Sequence, residues 1–101
     1  MKHMIRYKLK PECVADNERL SRAVYVALRR QQPAGVHYAT FRLADGLSFM
    51  HVVSYDEGVG NETLTGLPEF KAFSEGVKDR CAEPPVRTEL TEVGSYGFFG
   101  P

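Results

Sequence analysis

The residues best suited to chemistry are a histidine and two tyrosines set into apolar strand patterns. His51 lies in the run Phe49-Met50-His51-Val52-Val53-Ser54-Tyr55. Alternation places its imidazole on one face with Phe49, Val53 and Tyr55. An imidazole titrates near neutrality, so it can act as a general base or hydrogen-bond a phenol or enol. The Tyr7 and Tyr55 hydroxyls are candidate donors to a substrate oxygen. The ordinary alternatives are a core histidine satisfied by one hydrogen bond and tyrosines with their polar tips in water. His3 and His37 fall near the starts of strand patterns and rank below His51. Arg6 and Arg42 could bind a carboxylate, although surface ion pairing is their more common role.

No metal is expected. His3, His37 and His51 fall on three separate strand patterns without ligand spacing, and Cys13 and Cys81 are remote from them in sequence. The chain has no G-x-G-x-x-G, no P-loop and no G-x-S-x-G elbow, so no cofactor or nucleotide is expected either. If the chain is an enzyme, its pocket would be mostly apolar with a few placed hydrogen-bond groups acting on a bound small molecule. His51 as base with Tyr7 or Tyr55 as donor is a workable set. The competing class is a non-catalytic homodimer that binds a small apolar ligand or serves only as a structural module.

Positioning those residues falls to a short series of elements. His3 to Lys10 alternate, with His3, Ile5, Tyr7 and Leu9 on one face, and Pro11 closes the strand. A helix is predicted over about Val14 to Arg30, with Leu20, Val24 and Leu28 plus Ala23 and Ala27 as its apolar stripe. Pro33 and Gly35 end it. Val36 to Leu43 and Leu47 to Tyr55 make a hairpin about Asp45-Gly46. A second helix is predicted over Pro68 to Cys81, with Thr65 a candidate cap and Phe70, Phe73, Val77 and Cys81 on one face. Pro84-Pro85 is expected to stop that helix, and Val86 to Tyr96 is the last predicted strand, followed by the aromatic tail Gly97-Phe98-Phe99-Gly100. The order is β-α-β-β-α-β, the ferredoxin-like arrangement of the α+β class. It implies a four-stranded antiparallel sheet with two helices on one face, in a single domain over residues 1–101.

Composition narrows the partners. Of the 101 residues, 13 are basic and 13 acidic, so no basic surface points to nucleic acid. No apolar run approaches the ~18 residues of a membrane span, and Met1 to Arg6 contain no apolar signal core. No membrane partner and a cytoplasmic location are the expectations.

Both strands of the central hairpin carry apolar residues on both faces. With the two helices on one side, the other face would show Met50 and Val52 to water, and an exposed patch of that kind marks an interface. A homodimer with its sheets face to face is the expected partner arrangement. The cysteines are expected as free thiols. With Cys13 at the start of one helix and Cys81 near the end of another ~20 Å long, they are expected too far apart to bond. Asp56 to Gly66, rich in glycine, is expected to be a flexible rim or lid over a pocket between helices and sheet.

This order, with the edges Met4-Ile5-Arg6-Tyr7-Lys8-Leu9-Lys10-Pro11, Phe49-Met50-His51-Val52-Val53-Ser54-Tyr55 and Glu92-Val93-Gly94-Ser95-Tyr96, resembles the antibiotic biosynthesis monooxygenase-like family of the dimeric α/β-barrel superfamily. The resemblance runs from about residue 4 to residue 97. It implies a homodimer whose two four-stranded sheets form a barrel, with a pocket in each subunit between sheet and helices. Tyr7 would then face the helices. Activities in that superfamily include cofactor-independent oxidation of polycyclic aromatics, haem degradation and isomerisation of small metabolites. The haem-degrading branch carries a first-strand Asn, a Trp and a second-helix His. This chain has Ile5 or its neighbours, no Trp and no His in the matching places, so haem degradation is not expected. The function implied is a cofactor-independent monooxygenase acting on a small aromatic or enolisable metabolite.

Overall fold

A computed structural model describes residues 1–98; Phe99 and Gly100 of the aromatic tail lie outside the described residues. The elements are β1 (Lys2–Leu9), α1 (Val14–Gln31), β2 (Val36–Arg42), β3 (Ser48–Tyr55), α2 (Glu62–Thr65), α3 (Pro68–Glu75), α4 (Val77–Arg80) and β4 (Cys81–Leu90). A single 3-10 turn, Pro11–Cys13, leads from β1 into α1. The four strands form one antiparallel sheet in the order β2-β3-β1-β4, with the helices packed on one face. This is the expected ferredoxin-like architecture.

The core lies between the sheet and the helices. Tyr7, Leu9, Phe49, Val53 and Tyr55 from the strands meet Val24 and Ala27 of α1, and Leu64, Leu67 and Phe73 from the second helical segment. The α1 stripe differs from the expected one in two ways. Ala23 is exposed, and the polar residues Asn17 and Ser21 take buried positions at helical spacing with Val24. α1 ends at Gln32 in the left-handed region, where the Gln32 N–H donates to the Leu28 carbonyl at 2.7 Å.

The hairpin is held by Asp45. Its carboxylate accepts from the Leu47 and Ser48 backbone N–H groups at 2.9 and 2.8 Å and from the Ser48 hydroxyl at 2.6 Å. Gly46 has φ 74°, which its lack of a Cβ permits. These bonds also hold the Asp45 carboxyl down at a pKa of about 2.

The second helical region departs most from expectation. Asp56 to Gly66 contains a helical turn, α2, and its Leu64 is in the core at 2% exposure. Thr65 does not cap α3, whose cap position is Leu67; its hydroxyl donates back to the Asn61 carbonyl at 3.0 Å. The predicted helix from Pro68 to Cys81 is broken at Gly76, and Cys81 opens β4.

β4 begins before Pro84-Pro85 and ends at Leu90, so the last strand is not Val86 to Tyr96. Two prolines are tolerated because β4 is an edge strand and bulges there. Arg6 pairs with Val86 and Lys8 with Glu83, leaving both prolines opposite Tyr7 alone.

Among the described residues no helix packs on the opposite sheet face. Met4, Met50, Val52, Ala39, Phe41 and Val86 lie on it by register, with Phe41 at 43% exposure. The tail returns along this side. Lys2 pairs with Glu92 at 3.4 Å, and Phe98 lines a shallow hollow with His37, Ala39, Phe41 and Val52. No helix is long and apolar enough to cross a membrane among the described residues.

Cys13 and Cys81 are both free. Cys81 directly follows α4 and opens β4, where it pairs with Leu9 close to the Pro11–Cys13 turn. Burial pushes the Cys81 thiol up, and Cys13 nearby adds to the effect.

Candidate active site

His51 occupies the middle of β3, between Ile5 of β1 and Thr40 of β2 in the pairing register. All three side chains point toward the helices, because residues paired across a sheet share a face. Tyr7 and Tyr38 are diagonal neighbours, one on each side, and their long side chains reach the imidazole. The Tyr7 hydroxyl is 2.7 Å from His51 Nε2, and the Tyr38 hydroxyl is 2.6 Å from Nδ1. Thr40 Oγ1 is 3.1 Å from the same Nδ1. Both ring nitrogens are therefore engaged by protein hydroxyls.

The network extends in both directions. On one side the Asn17 amide donates to the Tyr7 oxygen at 3.0 Å, and Arg80 Nε donates to Asn17 Oδ1 at 3.0 Å. Arg80 Nη2 also donates to the Phe73 carbonyl at 2.7 Å, and its guanidinium carbon sits 5.2 Å from the Phe73 ring centre. On the other side the Tyr25 and Thr40 hydroxyls are 2.6 Å apart. The whole line runs Arg80, Asn17, Tyr7, His51, Tyr38 and Thr40, Tyr25. It crosses the domain from the α4–β4 junction to the α1–β2 side.

Burial sets the electrostatics. His51 is 4% exposed, and desolvation of its charged form lowers its pKa to about 4, so it is neutral at pH 7. Burial pushes Tyr7 up to about 12 against the opposing hydrogen bond from Asn17, and Tyr25 up to about 12 against that from Thr40. Tyr38 is raised well above the ordinary tyrosine value, again chiefly by burial. His51, Tyr7, Tyr25 and Tyr38 are thus neutral near pH 7.

A cavity of about 210 Å³ opens between sheet and helices beside this line, with Tyr38, His51, Tyr55, Leu64, Phe70 and Arg87 in its wall. The structure brings His51 and Tyr7 into direct contact. It places Tyr55 on the cavity wall, with no hydrogen bond to the network. Asp56 to Gly66 contributes Asn61, Leu64 and Thr65 to the cavity wall. His3 is buried on this side and also lines the cavity; its Nδ1 is 3.5 Å from Arg87 Nη2. His37 instead pairs with Asp56 at 3.1 Å. Arg6 is exposed on the open sheet face, and Arg42 bonds Glu18 at 3.0 Å. A second cleft, about 370 Å³, lies outside α1 and β2 and meets the same line at Tyr25 and Thr40.

Tyr38, Thr40, Asn17, Tyr25 and Arg80 were not singled out by type and spacing. Thr40 and Tyr38 were within reach, since the hairpin turn sets the register that puts them beside His51. Asn17 was marked only by being polar at a position continuing the apolar stripe of α1. No group of three or more His, Cys, Asp or Glu suited to a metal occurs among the described residues.

No family model and no curated protein matches the chain. Solved structures do. An antibiotic biosynthesis monooxygenase superposes with a TM-score of 0.74 at 16% identity, over 92% of this chain and 98% of that one. This chain shares that protein's fold. A protein from Mycobacterium tuberculosis shares the fold at a TM-score of 0.75 and 18% identity, covering 93% of this chain and 95% of its own. SnoaB, a cofactor-independent oxygenase from Streptomyces nogalater, shares it at 0.69 and 12% identity, with 95% of each chain covered. In this chain the shared fold holds the His51 network on the helix-facing side of its sheet.

Proposed function

We infer that the protein is a cofactor-independent monooxygenase that binds a small aromatic or enolisable metabolite in the His51 cavity. The observation that carries this reading is a neutral imidazole buried between two tyrosine hydroxyls at the wall of a mainly apolar cavity that also presents His3 and Arg87. The likeness to SnoaB in fold supports it.

Size selects among aromatics. An apolar cavity of ~150 Å³ holds benzene, and drug-sized ligands occupy upward of ~300 Å³. At about 210 Å³, this cavity suits a one-ring phenol or cyclic 1,3-diketone better than a polycyclic compound. Tyr38, His51 and Tyr55 contact the ligand, and Tyr7 holds His51 from behind.

The chemistry divides between substrate and protein. The enol or phenol loses a proton, and its anion gives electrons to dioxygen. One oxygen atom enters the product in place of two hydrogens, and the other leaves as water. The protein lowers the cost of the anion with a hydrogen bond in a desolvated site. With a pKa of about 4, His51 serves this step as a neutral hydrogen-bonding relay. The line through Thr40 to Tyr25 and the outer cleft offers the released proton a way to solvent.

The helix-free sheet face, which the tail covers only in part, fits a homodimer with two such sheets face to face, each subunit keeping its own cavity. The second reading, a non-catalytic binding module, keeps the same cavity and dimer. The test is oxygen uptake by chelator-treated protein offered catechols, hydroxyquinols and cyclic 1,3-diketones. Uptake that falls at least tenfold in Tyr38→Phe supports the enzyme. Binding of such compounds without uptake would favour the module.

A further inference from the structure

The hydrogen-bond line through the core has a direction, and its origin is Arg80. A guanidinium can only donate, so the atom of Asn17 that faces Arg80 Nε at 3.0 Å is the carbonyl Oδ1. That fixes which way round the amide lies. Its NH₂ then faces the Tyr7 oxygen at 3.0 Å and donates to it. Tyr7 has one proton of its own. Its hydroxyl has two partners among the described residues, Asn17 and His51. Asn17 is already the donor in the first, so the Tyr7 proton has one place to go, Nε2 of His51. The reverse arrangement would leave a buried O–H without an acceptor, which costs more than a hydrogen bond contributes net. A neutral imidazole accepting at Nε2 carries its proton on Nδ1. That N–H faces Tyr38 at 2.6 Å and Thr40 at 3.1 Å. The Tyr38 oxygen accepts from His51, and the Tyr38 proton remains to be given to Thr40 or to a ligand in the cavity.

We propose that Arg80 is a positioning residue which, through Asn17 and Tyr7, holds His51 as the Nδ1–H tautomer and makes Tyr38 a hydrogen-bond donor to a carbonyl or enolate oxygen of the ligand. Three features of Arg80 fit this role. It is 7% exposed, yet none of the ion pairs among the described residues includes it. A buried cation without a carboxylate is costly. It is clamped at both ends of its guanidinium, by Asn17 and by the Phe73 carbonyl. The helix break at Gly76 leaves it room, since a Cβ there would lie 2.9 Å from Arg80 Nη1. The ligand clause rests on the cavity reading above; the tautomer does not.

The test is the imidazole ¹H–¹⁵N correlation spectrum of His51 in the intact protein at pH 7.5. Wild type is expected to show Nδ1 protonated and Nε2 unprotonated. Asn17→Asp keeps the shape but offers a carboxylate, which accepts from both Arg80 and Tyr7. The Tyr7 oxygen must then accept from His51, and the spectrum is expected to switch to the Nε2–H form. Arg80→Met is expected to give a mixture of the two forms, and Arg80→Lys, which keeps a donor, to restore Nδ1–H. A merely structural arginine would not move the tautomer. An Nε2–H wild type overturns the proposal, as does an Asn17→Asp protein that keeps Nδ1–H. Should Asn17→Asp fail to fold, an Arg80→Met spectrum showing Nδ1–H alone overturns it equally. For the ligand clause the probe is 4-nitrophenol, followed by absorbance. Its bound form should shift toward phenolate on wild type and not on Asn17→Asp; the same shift on both would overturn the donor assignment. Failure of the wild type to bind the probe would count against the cavity as a site, and the spectra would still decide the tautomer.

Discussion

The Tyr7 hydroxyl and the His51 Nε2 lie 2.7 Å apart across adjacent strands, joining residues 44 positions apart in the chain. The Tyr7 ring also stacks on Phe49 with centres 5.9 Å apart, so Tyr7→Phe removes the hydroxyl and keeps the packing. It leaves the Asn17 N–H and His51 Nε2 without their partner. Urea unfolding should show a loss of about 1–3 kcal/mol. A loss within the noise of a surface substitution would mean that this hydrogen bond is not made.

Burial of neutral His51 makes stability depend on pH. The unfolded imidazole takes up a proton near pH 6.5, whereas the folded one does so only near 4. Below 6.5 the unfolded state therefore binds more protons. The contribution is fully present above pH 6.5 and is lost as pH falls through 4. It amounts to about 3 kcal/mol. Urea midpoints measured from pH 7.5 to 4 should fall across that window, and the fall should be smaller in His51→Gln. Equal slopes for both proteins would assign the effect to other groups.

Leu64 ties the Asp56–Gly66 segment into the core. Leu64→Ala should cost about 2–5 kcal/mol, while Glu57→Ala, on an exposed turn of the same segment, should change stability by less than about 0.5 kcal/mol. Equal, small effects at both positions would return the segment to the status of a loose flap.

The sheet face bearing Met50, Val52 and Phe41 is proposed as a self-association surface. Light scattering at micromolar concentration should give twice the chain mass of 11.3 kDa for the parent and the single mass for Val52→Asp. A parent protein that runs as a monomer would remove the dimer.

Element order and the helix-facing side of the strands were legible because period two and period 3.6 are local signals. The hairpin register was legible too, since Asp45-Gly46 fixes the turn. The second helix was misread for two local reasons. Gly76 breaks it where the apolar spacing continues, and Pro84-Pro85 looks like a terminator although an edge strand with bulges accepts it. The candidate site was half legible. His51 and Tyr7 sit on apolar strand faces that mark them. Their contact depends on the pairing of β1 with β3, which no local pattern encodes. Asn17 and Arg80 carry charges or amides that normally mean surface, and only the fold shows that each satisfies the other in the interior.

The most direct test of the account is turnover under ¹⁸O₂ of whichever one-ring phenol or cyclic diketone supports oxygen uptake, using protein freed of metals and cofactors. The account predicts one ¹⁸O atom in the product and one in water, with Tyr38→Phe slowed at least tenfold. Product oxygen derived from water, or turnover unchanged in Tyr38→Phe and His51→Gln alike, would contradict it.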